Sequence, residues 1–123
     1  MNIEAIIPML LNSLVANRVY YQATPDNLVR ANNVIQDFFI WTIVGGQDRE
    51  YVDQTFGSHS NARIQLTAVS PSIGNARNLI RAGRDRLLAS DYTVGVYGSP
   101  VGTYDAARKL HGMRQQFGIW YPE

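Results

Sequence analysis

A chain of 123 residues with no cysteine and a formal net charge of +1 is sized for one domain with its own core, and it excludes disulfide staples and thiolate metal sites. The charge balance gives no basic stripe for wrapping nucleic acid. The apolar run from Ile6 to Leu11 is too short to span a bilayer and lacks the basic leader and small-residue cleavage pattern of an export signal, so a soluble, cytoplasmically made protein is expected.

The first element is a helix opening near Glu4 or Ala5, with Ile6, Leu10 and Leu14 flanked by Ile7, Leu11 and Val15 as a broad apolar stripe. That start places Pro8 in the first turn, where amides have no intrahelical acceptor. Asn17 suits the left-handed closure of the helix, and Val19, Tyr20 and Tyr21 form a short strand. Between Gln22 and Gln36 the turn formers Pro25-Asp26 and Asn32-Asn33 indicate a surface connection with room for one helical turn. Phe38 to Val44 is apolar at successive positions, as in a strand covered on both faces, and Gly45-Gly46 marks a place where a bulge can bend it. Gln47 to Gln54 then reads as a charged extension, and Thr55 to Ser58 as a hairpin end.

Asn61 to Ser90 is the unit around which the rest is organised. Ala62, Ile64, Leu66 and Ala68 alternate with Arg63, Gln65 and Thr67, the period of a strand with one buried face. Ser70-Pro71 stops that strand, and Ser70 or Ser72 can cap the following helix. From Ile73 the period changes, with Ile73, Ala76, Ile80, Gly83 and Leu87 down one side, Leu79 and Leu88 widening the stripe, and Arg77, Asn78, Arg81, Arg84 and Asp85 opposite. An Arg81 to Asp85 pair is spaced for contact, at a value of only about 0.2 to 0.5 kcal/mol when exposed. Tyr92 to Tyr97 alternates again, Gly98-Ser99-Pro100 turns the chain into a loop through Tyr104, and a last strand alternates Met113, Gln115, Phe117, Ile119 and Tyr121 against Arg114, Gln116, Gly118 and Trp120. The expected fold is α+β, one domain over residues 1–123 with a single mixed, mainly antiparallel sheet of about five strands and both helices on one face.

Catalytic signatures do not emerge. Neither glycine-rich phosphate-loop pattern occurs, and the run from Gly95 to Gly102 has no helix start behind it. His59 between Ser58 and Ser60 can be drawn as a base beside a nucleophile, but loop serines are common. His111 reads as a polar residue at a strand start. The aromatics say more. Phe38, Phe39, Trp41, Phe117, Trp120 and Tyr121 lie on two strands whose neighbours point to opposite faces, so they cannot all enter one core. Either large side chains stay exposed or the second face packs on another subunit, for which aromatic and Arg-rich patches are typical.

In its order of motifs the chain resembles the tail-completion or tail-terminator proteins of long-tailed bacteriophages and prophages. The likeness rests on Asn17-Arg18-Val19-Tyr20 after the first helix, the apolar strand Phe38 to Val44, and the glycine and charged residues Gly45 to Glu50. It continues through Ala62-Arg63-Ile64-Gln65-Leu66, the helix within Ser72 to Ala89, and the closing Phe117-Gly118-Ile119-Trp120. Asparagine stands at position 17 where the family has glycine, and Gln36-Asp37 where a proline often precedes the apolar strand.

What the resemblance implies is a non-enzymatic virion protein at the head-proximal end of the tail, assembled in the host cytoplasm. Such proteins form a homo-oligomeric ring, usually a hexamer, that caps the tail tube, stops its growth and presents the head-tail joining surface. The partners would be further copies of the chain, the tail-tube protein and the head-connector or neck proteins, with DNA passing through the ring without sequence-specific binding. No cofactor, metal or membrane is implied. Expected contact residues are Asp48, Arg49, Glu50 and Asp53 of the extension, with Arg63, Trp41, Arg114 and Trp120 of the sheet. The alternatives are a head-completion or neck adaptor protein and a small-ligand-binding α+β module.

Overall fold

The computed structural model describes residues 3–22, 30–31, 34–45 and 59–122. Helix α1 spans Ile3–Leu11 and continues as a 3-10 turn over Asn12–Leu14. Strands β1 (Val19–Tyr21), β2 (Arg30–Ala31), β3 (Val34–Ile35), β4 (Phe38–Gly45) and β5 (His59–Ser70) follow, then helix α2 (Ile73–Leu88) and strands β6 (Thr93–Asp105) and β7 (Leu110–Pro122). The main sheet has five strands in the order β1-β4-β5-β7-β6, parallel between β1 and β4 and antiparallel elsewhere. This is the expected α+β architecture.

Pleating explains which face is covered. Phe39 and Trp41 of β4, Ala62, Ile64, Leu66 and Ala68 of β5, and Met113, Phe117 and Ile119 of β7 form one buried cluster with Ile3, Ile6, Ile7 and Leu11 of α1 and Ala76, Ile80 and Leu87 of α2. Gly83 lets α2 approach closely, since a Cβ there would lie 3.1 Å from Cζ of Phe39. Ser72 Oγ accepts from the Asn75 amide and Ser70 Oγ from the Ser72 amide, so both serines serve the start of α2. On the other face a smaller cluster joins Phe38, Val69 and Leu110, with Tyr20, Ile35 and Ile40 packed against it.

Several expectations need correction. α1 begins at Ile3, so Pro8 lies beyond the first turn, and the reversal after the 3-10 turn uses both Ala16 (φ 48°) and Asn17 (φ 69°). The stretch before β4 contains the β2–β3 hairpin, with Arg30 opposite Ile35, where a helical turn had room. Ile73 and Leu88 are exposed, because α2 buries Ala76, Ile80, Gly83 and Leu87, with Leu79 packed beside them, and its two ends lie beyond that contact. β4 is not apolar and covered throughout: Ile43 and Val44 are exposed at the end where its register with β5 slips between Ile43 and Gly45, the bulge foreseen at the glycines.

The largest difference lies at Gly98-Ser99-Pro100, which does not turn the chain. β6 runs on as an edge strand whose register with β7 jumps from Tyr97 opposite Gln116 to Val101 opposite Arg114. An edge tolerates proline because the missing N–H faces away from the ladder, and Gly98 at φ 68° supplies the kink. The reversal comes later, where Asp105 Oδ1 accepts from the amides of Ala107 and Arg108 and Lys109 adopts φ 56°.

Candidate functional site

The sheet face away from the helices collects three of the expected contact residues. Arg63 sits opposite Gly118, which in turn sits opposite Gly95, leaving two adjacent strands without side chains there. Tyr97 fills that space: a Cβ on Gly118 would fall 2.7 Å from the Tyr97 hydroxyl, and the Arg63 guanidinium carbon lies 4.1 Å from the Tyr97 ring centroid. Such a cation–π contact at an exposed site is worth about 0.5–1 kcal/mol. Trp120 flanks the same glycine pair, its ring near the position a Cβ on Gly95 would take, and Arg114 is exposed further along the face beside Val101. Arg63, Arg114 and Trp120 therefore share one surface.

Trp41 does not belong to it. The side chain is 1% exposed within the helix-side cluster, its ring 4.5 Å from that of Tyr21, so it cannot meet a partner from there. Pleating is the reason: Trp41 points the same way as Phe39, towards the helices, while Ile40 points to the open face. Asp48, Arg49, Glu50 and Asp53 lie outside the described residues.

β6 forms a second feature of this surface. It is the outer strand on its side of the sheet, with Tyr97 and Val101 exposed on this face and Val96 and Tyr104, opposite Phe117 and His111, exposed on the other. From Thr93 to Tyr104 it carries no charged residue, although edge strands that must avoid pairing usually carry lysine or other charges. The Pro100 kink is the one protective device within that run. Tyr97 and Gly118 escaped the sequence reading as site residues because their meeting depends on the β6–β7 register just before the bulge.

Across the sheet, α2 carries Arg77, Arg81 and Arg84 beside the cover it gives β7. Asp85 pairs with Arg84 at 3.4 Å rather than with Arg81, and Arg86 turns to α1, donating to the Leu10 carbonyl and to Ser13 Oγ. His111 stacks on Tyr104 with ring centroids 4.7 Å apart. His59 and Ser60 fall within β5 and Ser58 outside the described residues. Among the described residues no group of three or more histidine, aspartate or glutamate side chains converges as a metal would need, and no helix is long and apolar enough to cross a membrane.

No family model and no curated protein matches the sequence. Among solved structures the chain is similar to one described as "Virion of native gene transfer agent (GTA) particle", with a TM-score of 0.58 at 12% identity, covering 98% of this chain and 95% of that one. The likeness is one of fold. It extends over nearly the whole of both chains.

Proposed function

We propose that the chain is a non-enzymatic virion subunit that assembles into a ring, caps the end of a phage-type tail tube, stops tube growth and offers the surface on which the head connector docks. The observation that carries this reading is the coincidence of fold, over nearly the full length of both chains, with a chain of a virion. The order of motifs read from the sequence supports the same class independently. So does the open sheet face, where arginine, tyrosine and tryptophan stand beside an uncharged edge strand, the composition of a contact surface rather than of a solvated one.

In this reading the ring is a hexamer built by a heterologous, closing interface. Arg63, Arg114 and Trp120 contribute to a protein contact on the open face. The charged stretch 47–54 touches the tail tube or the neighbouring subunit, its contacts repeated around the axis so that weak pairs sum. DNA passes through the ring without base recognition.

Native mass spectrometry tests the first step: six 13.8 kDa copies make a species of about 83 kDa. Electron microscopy with purified tail tubes tests the second, the expected image being a single ring on one tube end. A monomer at micromolar concentration overturns the ring. Rings that ignore tubes and bind the head connector instead assign the chain to the neck.

A further inference from the structure

We propose that the cleft between α2 and β6 receives the acidic stretch 48–53 of a neighbouring copy, so that each subunit offers a basic cleft to one neighbour and an acidic segment to the other. The inference rests on the ring reading and supplies its missing interface.

The cleft has a volume of about 350 Å³. Arg77, Arg81 and Arg84 form one wall, spaced four and three residues apart on a single helical flank. Ile80 and Met113 give it an apolar floor, and Pro100, carried outward by the β6 bulge, stands opposite. The far wall is held in place: Gln115, 5% exposed, donates from Nε2 to the Gly98 carbonyl at 2.7 Å and so ties the bulged strand to β7. Of the three arginines only Arg84 meets a carboxylate among the described residues, and Asp85 is largely exposed.

Charge complementarity selects the occupant. The chain has ten acidic residues, and three of them, Asp48, Glu50 and Asp53, fall within six positions; nowhere else in the sequence are three so close. Between them stand Arg49, Tyr51 and Val52, so the segment keeps two net negative charges; Tyr51 and Val52 suit a floor of Ile80 and Met113, from which a phosphate backbone would gain nothing.

Chain reach favours a neighbour over the same subunit. Gly45 pairs with Arg63, while Gln115 pairs with Leu66 two strands across from β4, so the cleft floor begins roughly 14 Å from Gly45, and three residues to Asp48 span at most about 10 Å. From the other tether, His59 lies seven residues before Leu66 on β5, roughly 23 Å along the strand, against at most about 21 Å for the six residues back to Asp53. Seating both outer carboxylates in the chain's own cleft would need both tethers fully extended with side-chain reach closing the remaining gap, whereas a neighbour's segment has no such limit.

The test is a charge swap on the full chain. One variant carries Arg77→Glu, Arg81→Glu and Arg84→Glu; the other carries Asp48→Lys, Glu50→Lys and Asp53→Lys. Each alone should keep its circular dichroism and fall in native mass from the ring to the 13.8 kDa subunit, because every contact now opposes like charges. Mixing the two should restore an alternating ring, since each cleft then faces a segment of opposite sign. Combining all six substitutions in one chain should restore it as well. Rescue in the six-fold variant without rescue on mixing would place the segment in its own subunit and overturn the trans contact. Rings that persist in the arginine variant overturn the docking while leaving the ring reading intact, as would loss of salt-sensitive duplex DNA binding as the sole defect of that variant. A wild-type protein that never forms rings overturns the ring reading itself.

Discussion

Ile80 tests the core most sharply, because it is 2% exposed at the centre of the stripe that α2 lays on the sheet, one turn below Ala76 and beside Gly83. Three substitutions separate the terms. Ile80→Val removes one methyl group and should cost about 0.5–1.5 kcal/mol; Ile80→Ala leaves a cavity and should cost about 2–5 kcal/mol. Ile80→Asp loses the same apolar contact and adds a carboxylate whose desolvation costs several kcal/mol more, because the arginines nearest to it, Arg77 and Arg84, stand on the cleft wall outside the apolar cluster. That total approaches the whole stability of a small domain, about 5–15 kcal/mol. Urea unfolding followed by circular dichroism should give a graded fall in midpoint for the first two variants at unchanged slope and an unfolded or insoluble chain for the third. A soluble Asp variant that melts cooperatively within about 1 kcal/mol of wild type would show that α2 does not present Ile80 to the sheet, and the fold would be wrong at its centre.

Two further perturbations probe the open face and the hairpin. Gly118→Ala puts a methyl group where the Tyr97 ring lies, so the ring should swing out and release Arg63. The loss should be about 0.5–1 kcal/mol, and tyrosine fluorescence should fail to change further when Arg63→Ala is added; additive effects would mean the two side chains are not coupled. Lys109→Gly relieves a left-handed residue in the β6–β7 reversal and should stabilise by about 0.5–1 kcal/mol, a rise in Tm of a few degrees, with a fall in Tm counting against that turn geometry.

The parts of the fold legible in the sequence are those where one periodicity dominates over many residues. The alternation from Ala62 to Ala68 and the α2 stripe through Ala76, Ile80, Gly83 and Leu87 both correspond to buried faces. Errors arose where local chemistry allowed two outcomes and tertiary context chose. Gly98-Ser99-Pro100 is strong turn chemistry, yet β7 continues past it and supplies a partner for Val101 to Asp105, so the same residues become a bulge in an edge strand. Ile73 and Leu88 match the helical period but lie at the ends of α2, beyond the sheet contact.

The candidate surface was legible only as a list of residue types, and the aromatics show why. A tryptophan in an apolar strand satisfies the core and an interface equally well until the pleat direction is known; β4 turns Trp41 inward with Phe39, whereas β7 turns Trp120 outward with Gly118. One residue of register would exchange those fates. The same dependence explains why Tyr97 emerged only from the structure. Its place over Gly118 requires the pairing of Gly95 with Gly118 and of Tyr97 with Gln116, both on the near side of the bulge that ends this register. Composition can say that this sheet carries more aromatic surface than one core can hold, but register decides which side chains remain to meet a partner, and here it leaves Arg63, Tyr97, Arg114 and Trp120 on one face.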